Sequence, residues 1–185
     1  MNEVFLDYSK YYDLLNQDKD YKSEAQFIIS KIRDFFPHAK TILNIGCGTG
    51  LHDPYFAEEG FELTGIDFSG QMLSIAKEKN SRLGCKYIQG DACNLNLDQK
   101  FDAVISIFHV LSYQTSNQKV EEYFRGIKRH LNKNGIAIFD YWYGPAVLNI
   151  RPNKRTREAE SHDLKILRHA STRLDFVKNV ATVNF

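Results

Sequence analysis

The chain has 185 residues, 43% apolar and 25% charged, which suits one globular domain with a substantial core and is too short for two. Its 24 basic and 23 acidic side chains leave a net charge of +1, so no basic face favours a nucleic-acid partner. The N-terminus lacks the basic start and apolar run of a secretory leader, and no stretch approaches the roughly 18 apolar residues of a membrane span. Cys47, Cys85 and Cys93 are odd in number and show no CxxC spacing. They read as free thiols in a reducing cytoplasm, not as a disulfide frame or a zinc site.

In chain order, Ser23-Glu-Ala-Gln26 has the form of a capping box before a helix carrying Phe27, Ile28, Ile32 and Phe35 and ending before Pro37. Thr41–Ile45 reads as a buried strand, broken by Gly46-Cys-Gly-Thr-Gly50. A short helix is expected over Leu51–Glu59, a second strand over Phe61–Ile66 ending at Asp67, and a helix capped by Ser69 with Met72, Leu73 and Ala76 inward. The third strand is Cys85–Gln89, closed by Gly90-Asp91, and the fourth Phe101–Ile107. Ser116 caps a long helix with Val120, Phe124, Ile127 and Leu131 on one stripe, and Asn134-Gly135 turns the chain into a fifth strand, Ile136–Phe139.

Helices between successive strands imply right-handed crossovers, hence an α/β, Rossmann-like doubly wound parallel sheet, order 3-2-1-4-5, with helices on both faces. After Tyr143 the rhythm changes. Residues 144–162 are polar and basic with Pro145 and Pro152, and read as a linker. Leu164–Arg173 and Val180–Phe185 then form a C-terminal β-hairpin. The expected division is 1–143, the sheet domain with an N-terminal helical cover, and 144–185, linker and hairpin on the acceptor side.

The glycine loop carries the most specific chemistry. Its glycines let the backbone turn tightly and approach a ligand more closely than a Cβ permits, at the carboxyl end of a strand where open α/β sheets bind ligands. A dinucleotide GxGxxG needs glycine at position 51, which is Leu51. The loop therefore suits the compact amino-acid end of a ligand better than a pyrophosphate; the bland alternative is a tight turn. Asp67, at the end of the second strand, suits a ribose diol. Asp91 suits an exocyclic adenine amine, with the backbone of Ala92 addressing a ring nitrogen, or else makes an Asx turn.

Together these segments resemble the class I S-adenosylmethionine-dependent methyltransferase family over roughly residues 8–143. The glycine loop looks like its first motif, Asp67 and Asp91 like its second and third, and Phe101–Ile107 like the fourth. Leu131-Asn-Lys-Asn-Gly-Ile-Ala-Ile-Phe139 is similar to its "LKPGG" turn and fifth strand. Asn44 departs from the pattern, since the family usually has an acid there. Tyr8-Ser-Lys-Tyr-Tyr12-Asp and Lys19-Asp-Tyr21-Lys-Ser-Glu-Ala25 look like the N-terminal cover of amino-sugar N-methyltransferases, and Phe108–Tyr113 and Asp140–Pro145 like segments lining the acceptor. The last two strands of the family's seven-stranded sheet have no counterpart among these segments.

The resemblance implies S-adenosylmethionine as cofactor, held by Tyr12, Tyr21, Asn44, Gly46, Cys47, Gly48, Asp67, Phe68, Met72, Asp91, Ala92 and Phe108. His109 is the best-placed imidazole to act as a base or substrate contact, the alternative being a structural or cofactor-backbone role, with Tyr113 and Tyr143 as candidate acceptor-side hydrogen bonders. Tyr12 and Trp142 are aromatic candidates to face the sulfonium, or else core residues. No metal-binding spacing is present. His52 is read as capping the short helix or facing solvent, with direct cofactor contact as the alternative, and His38, His130, His162 and His169 as surface residues without a role. The expected activity is methyl transfer to nitrogen or oxygen of a small metabolite, such as an amino sugar. The alternatives are a non-catalytic S-adenosylmethionine binder, or a nicotinamide-dependent oxidoreductase, which position 51 disfavours. The partner is a small-molecule acceptor, with no nucleic acid and no membrane; an unpaired fifth strand would also invite a homodimer.

Overall fold

A computed structural model of the protein describes Ser9 and residues 11–185. Tyr8 and Lys10 of the expected N-terminal cover, and the leader-free reading of residues 1–7, lie outside the described residues. Five parallel strands form one sheet in the order β3-β2-β1-β4-β5. They are β1 (Thr41–Ile45), β2 (Glu62–Asp67), β3 (Lys86–Gln89), β4 (Phe101–Ser106) and β5 (Leu131–Phe139). Residues 11–15 are helical, and α1 (Tyr21–Phe35), α2 (Asp53–Glu58), α3 (Gly70–Lys79) and α4 (Asn117–His130) flank or connect the strands. No described helix is long and apolar enough to cross a membrane.

The central strands read as continuous apolar runs because both faces are covered. On β1, Ile42 packs with Ile28, Ile32, Phe56 and Ile105 on one side. Leu43 and Ile45 pack with Val104, Tyr123 and Ile127 on the other. Asn44 shares the face of Ile42 yet is 2% exposed, so a polar side chain sits in the core beneath the glycine loop.

Several elements differ from the sequence expectation in informative ways. The N-cap of α1 is Asp20, whose side chain accepts from the Ser23 N–H at 2.9 Å; the helix therefore begins at Tyr21, before the expected capping box. Ser69 and Ser116 cap α3 and α4 as expected. β5 starts at Leu131 because Leu131 pairs with Phe101 ahead of a bulge, beyond which Ile136 pairs with Ala103. Asn134, at φ +67°, makes the turn inside that bulge.

The reading of residues 144–162 as an unstructured linker is corrected: α5 (Gly144–Ile150) and β6 (Arg155–Ser161) occupy most of it. Pro145 sits in the first turn of α5, where its missing N–H is harmless. β6 buries only Ala159, so its charged residues hid an edge strand. β6 pairs along its whole length with β7 (Leu164–Asp175), which also pairs with β8 (Val180–Asn184), making a three-stranded antiparallel sheet around the expected hairpin.

His130 is not a surface residue. It is fully buried, its Nε2 accepts from the Leu97 N–H at 2.8 Å, and its Nδ1 donates to the Gly126 carbonyl at 2.7 Å. It ties the end of α4 to the loop after β3. Replacing His130 with leucine leaves the Leu97 N–H unpartnered and is expected to lower stability by about 2 kcal/mol, read as a shifted urea midpoint at constant m-value.

Candidate functional site

The parallel sheet aligns the carboxyl ends of all five strands along one lip. In spatial order they present Asp91 after β3, Asp67 at the end of β2, Gly46 after β1, Phe108 and His109 after β4, and Asp140 after β5. Gly46, Gly48 and Gly50 all have positive φ. A Cβ on Gly48 would meet no other described residue within 4 Å beyond its chain neighbours, which leaves room above that residue for a ligand.

Asp67 and this loop are joined directly. The Gly48 N–H donates to Asp67 Oδ2 at 2.9 Å and the Ser69 N–H to Oδ1 at 2.8 Å. Burial pushes the Asp67 carboxyl above its ordinary value, while the backbone bonds from Ser69 and Gly48 oppose the shift. A carboxylate offers about four acceptor positions, so capacity remains for a vicinal diol. Asp91 is exposed, and its Oδ1 accepts from the Cys93 N–H at 2.8 Å. This Asx turn directs the strand end and leaves the other oxygen available. Phe68 is 56% exposed beside Asp67, whereas Met72 is 4% exposed on the inner side of α3.

Tyr12, Tyr21, Asn44, Gly46, Cys47 and Phe108 line one narrow cleft over β1 and β4, together with Thr49, Leu51, His52 and Ile107. The N-terminal segment closes over it: Thr49 Oγ1 donates to Asp13 Oδ1 at 2.5 Å, and Lys79 pairs with the same carboxylate. At the mouth Lys19 Nζ lies over the rings of Tyr21 and Phe108, at 5.2 and 4.8 Å from their centroids, and pairs with Glu24. These aromatic faces are thus already arranged to receive a cation.

His52 stands at the N-cap position of α2, yet its side chain neither caps the helix nor faces solvent, and it lines this cleft. Its side chain makes no capping bond; it is 8% exposed, its Nε2 is 2.8 Å from Glu24 Oε2, and its ring meets Tyr21 edge-on. Burial lowers its pKa, outweighing the Glu24 bond that raises it.

Beneath the loop lies a polar network that sequence reasoning missed. Asp53, fully buried, accepts from Asn44 Nδ2 at 2.8 Å on Oδ1 and from the Tyr87 hydroxyl at 2.7 Å on Oδ2. Asn80 Nδ2 donates to the Tyr87 oxygen and to the Gly50 carbonyl. Burial pushes the Asp53 carboxyl from 3.8 up to about 6, with the bonds from Tyr87 and Asn44 opposing. A carboxyl raised on folding stabilises the fold fully only below its unfolded value, and that contribution is lost as pH rises through about 6. At neutral pH the buried charge is therefore a net cost to the ligand-free protein.

The rim after β4 is built from strained backbone. Phe108 and His109 have φ of +67° and +68°, a conformation costing about 1–2 kcal/mol for a non-glycine residue. The Asp140 carboxylate holds both, accepting from the Phe108 N–H at 3.0 Å and the His109 N–H at 2.6 Å. His109 stacks on Phe108, meets Trp142 edge-on, and has Nδ1 3.9 Å from Asp140 Oδ2. Tyr113 and Tyr143 are mostly exposed, and the Trp142 N–H donates to Ser112 Oγ, tying their two segments together. A second, wider cavity of about 570 Å³ opens between the start of α4 and β7–β8, lined by Ser116, Arg173, Asp175 and Lys178 among others.

Asp140 lay within a segment noted for its likeness to acceptor-side sequences, and its position after a parallel strand was the available signal. Asp53 carries none, because a carboxylate at the first residue of a helix usually faces water. Among the described residues no group of three or more His, Cys, Asp or Glu side chains is placed to hold a metal ion.

The residues present fit S-adenosylmethionine. Asp67 and Asp91 keep carboxylate oxygens that could accept from an adenosyl group, the glycine loop has room for an amino-acid end, and the aromatic mouth suits a sulfonium. Known proteins agree. A family described as "Methyltransferase domain" matches residues 42–135, more than half of the chain. A Streptomyces venezuelae protein named dTDP-3-amino-3,4,6-trideoxy-alpha-D-glucopyranose N,N-dimethyltransferase is 28% identical over 170 residues, covering 86% of this chain and 71% of its own. A Streptomyces fradiae dTDP-3-amino-3,6-dideoxy-alpha-D-glucopyranose N,N-dimethyltransferase is 28% identical over 72% of this chain, which spans only 52% of that relative. The crystal structure of Streptomyces venezuelae DesVI superposes with a TM-score of 0.81 at 25% identity, covering 92% of this chain and 72% of that one. The chain belongs to the class I S-adenosylmethionine-dependent methyltransferase family.

Proposed function

We propose that the protein transfers a methyl group to the amine nitrogen of a small metabolite, an amino sugar carried on a nucleotide being the best-supported class. The observation that carries this reading is the rim after β4. There an imidazole, His109, is held among Phe108, Trp142 and the Asp140 carboxylate, on the same lip as the glycine loop. The relatives named for aminodideoxy- and aminotrideoxyglucose N,N-dimethylation support the same class.

S-adenosylmethionine, when bound, supplies an activated methyl on a sulfonium. The chain's own residues have three tasks. Asp67 and the glycine loop fix the cofactor; Tyr12, Tyr21 and Phe108 exclude water from the cleft; and His109 takes the proton that the amine gives up, since only a neutral amine can attack. Tyr113 and Tyr143 orient the sugar hydroxyls.

Incubation with methyl-labelled S-adenosylmethionine and a panel of nucleotide-linked amino sugars, glycine and sarcosine tests the reading. Label is expected on an amino sugar. His109→Asn should reduce turnover by about 10²-fold or more while leaving S-adenosylhomocysteine binding intact. Binding of S-adenosylhomocysteine without transfer to any amine would instead support the non-catalytic binder.

A further inference from the structure

Asn44 is almost fully buried and lines the cleft. Its Nδ2 is committed to Asp53, and its Oδ1 is buried with no hydrogen-bond partner among the described residues. An orphaned buried acceptor beside a ligand cleft is costly unless a donor arrives. Asp53 poses the matching problem one bond deeper. Its hydrogen-bond partners, Asn44 and Tyr87, are both neutral. The titratable groups coupled to it, Cys47, Cys85 and Tyr87, bring no positive charge, and His52 beside it is bonded to Glu24. A missing donor and a missing cation thus coincide at the floor of one cleft.

The order of strands on the lip says which cation answers them. Asp91 and Asp67 occupy the ends of β3 and β2 and address the adenine and ribose, so the next piece of the cofactor, its amino-acid end, falls over β1, where Asn44 lies. We propose that Asp53 is a positioning residue for the cofactor's ammonium. Its carboxylate accepts only, so it fixes the Asn44 amide with nitrogen inward and Oδ1 left to receive the ammonium, and its own charge lies behind that oxygen. The proposal rests on S-adenosylmethionine being the cofactor and adds the residues that recognise one end of it.

The hydrogen-bond inventory dictates what substitution does. In Asp53→Asn, Tyr87 already receives Asn80 Nδ2, so its hydroxyl proton needs the new amide oxygen as acceptor. The new amide nitrogen then faces Asn44, which must turn over and present its own nitrogen to the cleft. Every bond of the network survives, but the ammonium meets a donor. The exchange Asn44→Asp with Asp53→Asn reverses the direction of that one bond and returns an anionic oxygen to the cleft.

Calorimetry at pH 7.5 with S-adenosylhomocysteine, and with 5′-methylthioadenosine, which lacks the amino-acid end, separates the possibilities. Asp53→Asn should weaken S-adenosylhomocysteine by about tenfold or more and leave 5′-methylthioadenosine unchanged, and the double exchange should restore the first. A parallel loss of both ligands in Asp53→Asn, no loss of either, or no recovery in the double exchange would overturn the proposal. Wild-type protein that binds neither nucleoside would overturn the cofactor assignment itself, and this inference with it.

Discussion

Asp67→Ala should lower S-adenosylhomocysteine affinity by about 10²- to 10⁴-fold, measured by titration calorimetry on folded protein. Two hydrogen bonds from a ribose diol to a charged acceptor contribute about 1.5–3 kcal/mol each, and every 1.4 kcal/mol is about a factor of ten. The loss extends to the loop, because the Gly48 N–H now bonded to Asp67 Oδ2 is released. Asp67→Asn keeps an oxygen for one partner and should fall between alanine and wild type. Because burial raises the Asp67 carboxyl, wild-type affinity should decline on acidification sooner than an ordinary aspartate would dictate, as the proton removes an acceptor site. An alanine variant that binds as tightly as wild type would remove Asp67 from the cofactor site.

The largest stability effect is expected at Gly50. Its φ is +70°, and a Cβ there would lie 2.6 Å from Asn80 Nδ2, 2.9 Å from the Tyr87 hydroxyl and 3.0 Å from Asp53 Oδ2. Alanine therefore meets a left-handed backbone cost of about 1–2 kcal/mol and displaces three members of a buried network, each leaving groups that cost about 1–3 kcal/mol when unpaired. A total of about 4 kcal/mol, or a fall in Tm of roughly 10 °C for a chain of this size, should appear in calorimetric melting. Gly48→Ala is the control. It shares the positive φ but its added Cβ meets no other described residue within 4 Å, so it should lose only the backbone part of that stability.

The sheet order and the lip were legible because both follow from short-range signals. Apolar runs bounded by Gly46, Asp67, Gly90 and Asp140 give the strands, intervening helices force parallel crossovers, and parallel strands put their carboxyl ends on one side. The helix caps at Ser69 and Ser116 were equally local. What escaped the sequence depends on the third dimension. β6 reads as a charged linker because its pairing with β7, residue by residue from Arg155 to Ser161, is what makes it a strand. His130 and Asp53 carry polar side chains whose partners lie 33 and 34 residues away in Leu97 and Tyr87, and no periodicity reveals such bonds. His52 follows a turn that looks solvent-facing until α1 brings Glu24 and Tyr21 against it.

The carboxylate after β5 couples the outermost strand of the sheet to the mouth of the cleft. Two consecutive residues in an unfavourable twist are kept there by a single side chain anchored on a neighbouring strand, so they form one mechanical unit. Any event that frays the tip of β5, whether a substitution in its bulge or a new contact along its outer edge, releases the Phe108 ring and the His109 imidazole together. On the proposed function, selectivity for the acceptor would then depend partly on how firmly that strand is seated, and not only on the groups that touch the substrate.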